Sequence, residues 1–186
     1  MGSREERGCL KAKSTLVKIV LLAQLVLLLS VGTASAHYLP ESAHSVNDSG
    51  EMRWKDGTRY DGARAFAIKQ WNALDRVPIL RDTQNTPTDL VFRDFRDCGT
   101  GVIGYWQPKD GADSINFNVC SIDKQSDAVK RATATHELGH ALRLAHPSGS
   151  KQSDYWRERS IMYYCSSCVP FTTPQPHDKS DYREIW

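Results

Sequence analysis

Residues 136–146 read His136-Glu137-Leu138-Gly139-His140-Ala141-Leu142-Arg143-Leu144-Ala145-His146. The surrounding sequence predicts a helix from Ser126 or Asp127 to about Leu142. On such a helix His136 and His140, four apart, stand on one face with Cβ atoms roughly 5–6 Å from one another. Both imidazoles then reach a single metal ion at about 2.0–2.1 Å. Glu137, one position round the helix, lies beside that ion rather than on it, where it can hold a water on the metal. His146 falls beyond the expected helix end, and the chain need only turn back for it to become a third ligand. Three protein ligands with an open fourth position is the catalytic zinc arrangement, whereas four ligands make a structural site. His-Glu-x-x-His occurs on helices by chance, but here three of the chain's six His crowd into eleven residues.

Working outward, Asp61 to about Leu74 carries Ala63, Phe66, Ala67, Trp71 and Leu74 at the helical period and predicts a first helix, with Pro78 as its exit. Met52-Arg53-Trp54 reads as a short strand. Asp89 to Phe95 mixes β-formers with alternation and reads as another. Gly99 to Gly111, with four Gly around Val102-Ile103-Gly104-Tyr105-Trp106, reads as a loop or bulged strand. Ile115-Asn116-Phe117-Asn118-Val119 alternates at period 2, and its Asn face predicts an edge strand. Past His146, Pro147 to Ser150 form a loop, Pro170, Pro174 and Pro176 keep the chain irregular, and Asp178 to Trp186 predicts a short closing helix. The class is α+β.

The 186 residues carry 24 Lys+Arg and 22 Asp+Glu, 40% hydrophobic and 25% charged, a globular balance that excludes collagen-like, disordered and polytopic membrane chains. Residues 1–36 stand apart. Five basic residues precede an apolar run from Ile19 to Val31, and Ala34-Ser35-Ala36 follows, which describes a secretory signal peptide cleaved after Ala36. The 13-residue run is short of the roughly 20 residues a bilayer span requires. Without those residues 19 basic and 20 acidic side chains remain, so no electrostatic footprint for nucleic acid or an anionic membrane is present. Residues 37–50 are polar and read as an extended arm, with His37 and His44 on a mobile segment. The remaining chain is long enough for one core.

Past residue 36 the chain keeps Cys98, Cys120, Cys165 and Cys168, an even number that in an exported protein implies disulfides with three possible connectivities. Nearness in sequence favours Cys98–Cys120 and Cys165–Cys168. The alternative for Cys165-x-x-Cys168 is a redox or zinc motif, although no second Cys-x-x-Cys and no thioredoxin-like context accompany it.

The 136–146 stretch resembles the long zinc motif of the metzincin metallopeptidases, HExxHxxGxxH, and Ser160-Ile161-Met162-Tyr163-Tyr164 resembles their Met-turn. The order of the strands and the closing helix is similar to matrixins, and the size and two Cys pairs to the small secreted snapalysins. The resemblance implies a metzincin-like twisted mixed sheet with an active-site helix, a Met-turn and a C-terminal helix, spanning residues 51–186. It implies His136, His140 and His146 as ligands of one catalytic zinc, Glu137 as the catalytic base and Met162 as the apolar floor. It places Tyr164 where astacins keep a Tyr near the metal; the alternative is that Tyr163 or Tyr164 is simply a wall of the pocket. The sequence departs from the motif at Arg143, where the family has a Gly of positive φ. Either Arg143 accepts a strain of roughly 1–2 kcal/mol, or the helix ends differently and Arg143 never enters the left-handed region. Asp110 and Asp113 offer carboxylates to calcium, or form a solvated turn.

These readings imply a secreted, monomeric zinc endopeptidase acting on an extended polypeptide through a zinc-bound water activated by Glu137. It has no nucleic-acid partner and no membrane association after signal cleavage. The substrate would lie along the 115–119 edge, with Val169, Pro170 and Phe171 walling the specificity pocket. The rival class is a secreted non-catalytic binding or inhibitory module that keeps a metzincin-like fold, although such a module has no need of Glu137.

Overall fold

A computed structural model describes residues 37–186; the expected signal peptide lies outside the described residues. The class is mixed α+β. Five strands, β1 (Met52–Lys55), β2 (Ile79–Arg81), β3 (Leu90–Phe95), β4 (Gly104–Gln107) and β5 (Asp113–Asn118), form one sheet of order β2-β1-β3-β5-β4. All neighbours run parallel except β4, which pairs antiparallel with β5 through Gly104↔Phe117 to Gln107↔Ser114. The helices are α1 (Asp61–Asn72), the one-turn α2 (Val119–Ile122), α3 (Asp127–Ala141) and α4 (Pro176–Ile185).

The edges are therefore β2 and β4, and 115–119 is not an edge. Strand β5 is covered on both sides by β3 and β4, and all six of its residues are buried. Its Asn face is satisfied internally: Asn116 Nδ2 donates to Ser114 Oγ at 3.0 Å, and Asn118 Nδ2 donates to the carbonyls of Asp97 and Val102. Buried polar groups that are hydrogen-bonded in this way imitate a solvated face in the sequence.

Helix α3 starts where Ser126 Oγ accepts the Val129 N–H at 3.3 Å, and Asp127 in its first turn suits the positive end of the helix dipole. It packs on α1, where fully buried Trp71 donates its indole N–H to the Thr135 carbonyl at 2.9 Å. Leu90, Phe92, Ile115 and Phe117 of the sheet meet Ala134, Leu138 and Ala141 of α3 in one core. Tyr182 of α4 is fully buried, and its hydroxyl accepts the Val77 N–H at 2.9 Å.

The N-terminal arm packs against the rest of the fold. His37 is buried, Tyr38 bridges Leu144 in antiparallel fashion, and His44 meets the Trp186 ring edge-on at 5.3 Å. Disulfides join Cys98 to Cys120 and Cys165 to Cys168. Both carboxylate oxygens of Asp113 are engaged within the fold, Oδ2 accepting Ser45 Oγ–H at 2.7 Å and Oδ1 accepting the Lys109 N–H at 2.9 Å. Among the described residues no helix is long and apolar enough to cross a membrane.

Candidate metal centre

Helix α3 carries His136, Glu137 and His140 in its last two turns, and the way it ends delivers His146. Leu144 N–H returns to the Gly139 carbonyl at 3.0 Å and Arg143 N–H to the His140 carbonyl at 2.9 Å. This is the Schellman pattern, with Arg143 at the position that glycine normally fills. Arg143 sits at φ +74°, so it does enter the left-handed region and the alternative helix end is excluded. The arm braces it: Leu39 N–H donates to the Arg143 carbonyl at 2.9 Å, and Arg143 Nε donates to the Leu39 carbonyl at 3.2 Å.

The reversal brings the three Nε2 atoms together, at 3.1 Å for His136–His140, 3.1 Å for His136–His146 and 3.2 Å for His140–His146. The opposite ring nitrogens face carbonyls: His136 Nδ1 lies 2.7 Å from the Ile161 oxygen, and His140 Nδ1 lies 2.8 Å from the Leu144 oxygen. A carbonyl only accepts, so each Nδ1 keeps its proton and the Nε2 lone pairs of His136 and His140 point at one another. Such an arrangement repels in itself and favours a cation among the nitrogens. A tetrahedral ion with bonds of about 2.0–2.1 Å sets its donors roughly 3.3 Å apart, close to the spacing found. The residues present fit zinc.

Burial keeps these imidazoles neutral. It pushes the His136 pKa well below the ordinary value, His140 down to about 4, and His146 down as well. Glu137 is also buried, which raises its carboxyl to about 7 against the pull of the Trp106 N–H, donated to Oε2 at 2.8 Å. That bond joins α3 to the outer edge of β4, a partner the sequence did not reveal because Gly99 to Gly111 read only as a loop or bulged strand.

A cleft of about 430 Å³ opens over the cluster, with Gly101–Trp106 on one side and Tyr164–Ser167 on the other. Tyr164 borders it, 41% exposed, with its ring 4.7 Å from that of Tyr163. Val169 and Phe171 do not wall this cleft; they pack against the core, and residues 164–167, closed by Cys165–Cys168, take the wall position instead. Met162 is buried under α3. A Cβ on Gly139 would collide with Met162 Sδ and come within 3.1 Å of the Trp71 ring, so only glycine lets helix and turn approach so closely.

No family model matches the chain, and no curated protein matches it in sequence. Among solved structures, a chain of the GM1-bound form of the ECX AB5 holotoxin superposes with a TM-score of 0.51 at 12% identity, covering 73% of this chain and 80% of that one. High choriolytic enzyme 1, a hatching enzyme zinc-protease from the medaka fish Oryzias latipes, gives a TM-score of 0.46 at 13% identity, covering 81% and 94%. At such identities the first match speaks for the fold alone, and the second carries no argument.

Proposed function

We propose that the protein is a secreted zinc-dependent endopeptidase. The observation that carries this reading is the convergence of three Nε2 atoms within 3.2 Å of one another beside a buried carboxylate, at the floor of an open cleft. His136, His140 and His146 hold the ion, which when bound supplies Lewis acidity and acidifies coordinated water. Trp106 fixes Oε2 of Glu137, so Oε1 is the atom that takes the proton of the attacking water and passes it to the departing amine. Tyr164, on the cleft rim, donates its hydroxyl to the carbonyl oxygen as negative charge develops there. The polypeptide lies extended against the outer edge of β4. The two disulfides suit an oxidising compartment and support secretion.

Glu137→Gln is the test. It keeps size and reach and removes basicity, so cleavage of casein or a peptide library should fall at least about 100-fold while zinc content holds. Equal cleavage by both proteins would refute the mechanism. A wild type that holds zinc and cleaves nothing favours the non-catalytic binding or inhibitory module.

A further inference from the structure

A second set of donors converges where the N-terminal arm meets α4. His37 Nδ1, His177 Nε2 and Asp181 Oδ2 are separated by 3.2, 3.3 and 3.7 Å. His177 and Asp181 are four apart on α4, the same helical spacing that pairs His136 with His140. His37 arrives from the other end of the chain, 140 residues away, and it and Asp181 are both buried. The ring of Trp156 covers the cluster, its centroid 4.5 Å from that of His177 and 5.5 Å from that of His37.

We propose that His37, His177 and Asp181 hold a second zinc ion, a structural one that clasps the N-terminal arm to α4. Two imidazoles and a carboxylate match the ligand preference of zinc, and their spacing brackets the roughly 3.3 Å that a tetrahedral ion imposes. Hydrogen bonding alone accounts poorly for the trio. His177 Nε2 faces both His37 Nδ1 and Asp181 Oδ2, and one ring nitrogen carries at most one proton.

The clasp also bears on the first cluster. The His37 carbonyl accepts the Ala145 N–H at 2.7 Å, and the following residues of the arm brace Leu144 and Arg143. An ion on His37 therefore anchors the strip of backbone that presents His146. The site stands on its own residues, whether or not the first cluster is catalytic.

The test is zinc stoichiometry of the purified protein by plasma emission after gel filtration, with cobalt as an optical probe. Wild type should hold two zinc ions per chain, and His177→Ala, Asp181→Asn and His140→Ala one each, with unchanged far-ultraviolet circular dichroism. Cobalt occupies the same kind of site and quenches adjacent indoles. It should quench a share of tryptophan emission in wild type and in His140→Ala that is missing from His177→Ala and from Trp156→Phe. The cobalt comparison of wild type with Trp156→Phe decides the matter if a ligand variant fails to fold. An ion retained by His140→Ala but lost from His177→Ala supports this site even if the first cluster holds none. Full zinc in both His177→Ala and Asp181→Asn, a single wild-type ion lost in His140→Ala, or no zinc in wild type overturns the proposal.

Discussion

The carbonyl of Ile161 receives the Nδ1 proton of His136 at 2.7 Å, so the backbone of the 160–164 turn sets both the tautomer and the angle of the most buried histidine of the cluster. Its own N–H donates to Asp178 at 2.8 Å, and the same carboxylate accepts Ser160 Oγ–H at 2.5 Å and the Gln175 N–H at 2.7 Å. Asp178 thus caps α4 and ties that helix, through the backbone of the single residue Ile161, to the imidazole. A metal-binding His held by an outer hydrogen bond is a better-oriented ligand.

Asp178→Ala should be costly. Two backbone donors, the buried one of Ile161 and the half-buried one of Gln175, lose their acceptor at about 1–3 kcal/mol each, so a destabilisation of roughly 2–6 kcal/mol is expected. At about 2–4 °C per kcal/mol for a domain of this size, that lowers Tm by roughly 4–24 °C. Asp178→Asn keeps one carbonyl oxygen and should fall between. A melting curve for the Ala variant that overlays wild type removes Asp178 from this role.

Gly139→Ala pits helix propensity against space. Alanine gains about 1 kcal/mol as a helix former, but the new methyl must displace Met162 and press on Trp71, whose indole is already committed to Thr135. Overpacking of a filled core costs about 1–3 kcal/mol, so a net loss of up to about 2 kcal/mol is expected. Introduced into Met162→Ala, the same change should cost at least about 1 kcal/mol less, a coupling that chemical denaturation of the four proteins measures. Additive effects would mean that Met162 does not occupy that space.

Away from the cleft, the Tyr60 hydroxyl donates to Asp123 at 2.7 Å, and together with Arg59 it holds that carboxyl below its ordinary 3.8. A depressed folded-state pKa contributes stability that is present above the unfolded value and is lost as pH falls through the folded one. Tyr60→Phe should therefore unfold at lower urea concentration than wild type at about pH 7, and the gap should close towards pH 3. A gap that is constant with pH assigns the loss to packing alone.

The candidate metal centre was legible because its pattern is local. His136, Glu137 and His140 share two helical turns, and the cap at Ser126 marks where those turns begin. The sheet edge was not. Asn116 and Asn118 look solvated in sequence, yet the Tyr105 carbonyl on β4 and the Val102 and Asp97 carbonyls in the loop before it approach them. Strand β4 has only four residues, begins on Gly104, and gains its place from pairing with β5 and from Glu137 rather than from its own propensity. His37 carried no local signal, because its partners His177 and Asp181 lie at the opposite end of the sequence.

Arg143 offers the sharpest test of the backbone, because the sign of the effect depends on its φ. At an ordinary helical position alanine is more stabilising than glycine by about 0.8–1.0 kcal/mol. At φ +74° the preference reverses, since a Cβ in the left-handed region costs roughly 1–2 kcal/mol that glycine avoids. Glycine gives back about 0.4–1 kcal/mol through the greater freedom of its unfolded chain. Both substitutions lose the guanidinium bond to the Leu39 carbonyl equally, so that loss cancels in the comparison. Arg143→Gly should therefore be more stable than Arg143→Ala by about 0.5–1 kcal/mol in urea denaturation. If the proposed zinc site holds, the zinc content of Arg143→Gly should match that of wild type, because the Schellman bonds from Arg143 and Leu144 are backbone bonds that any residue makes. An Arg143→Ala protein at least as stable as Arg143→Gly would show that this residue is not left-handed, and the path of the chain to His146 would have to be redrawn.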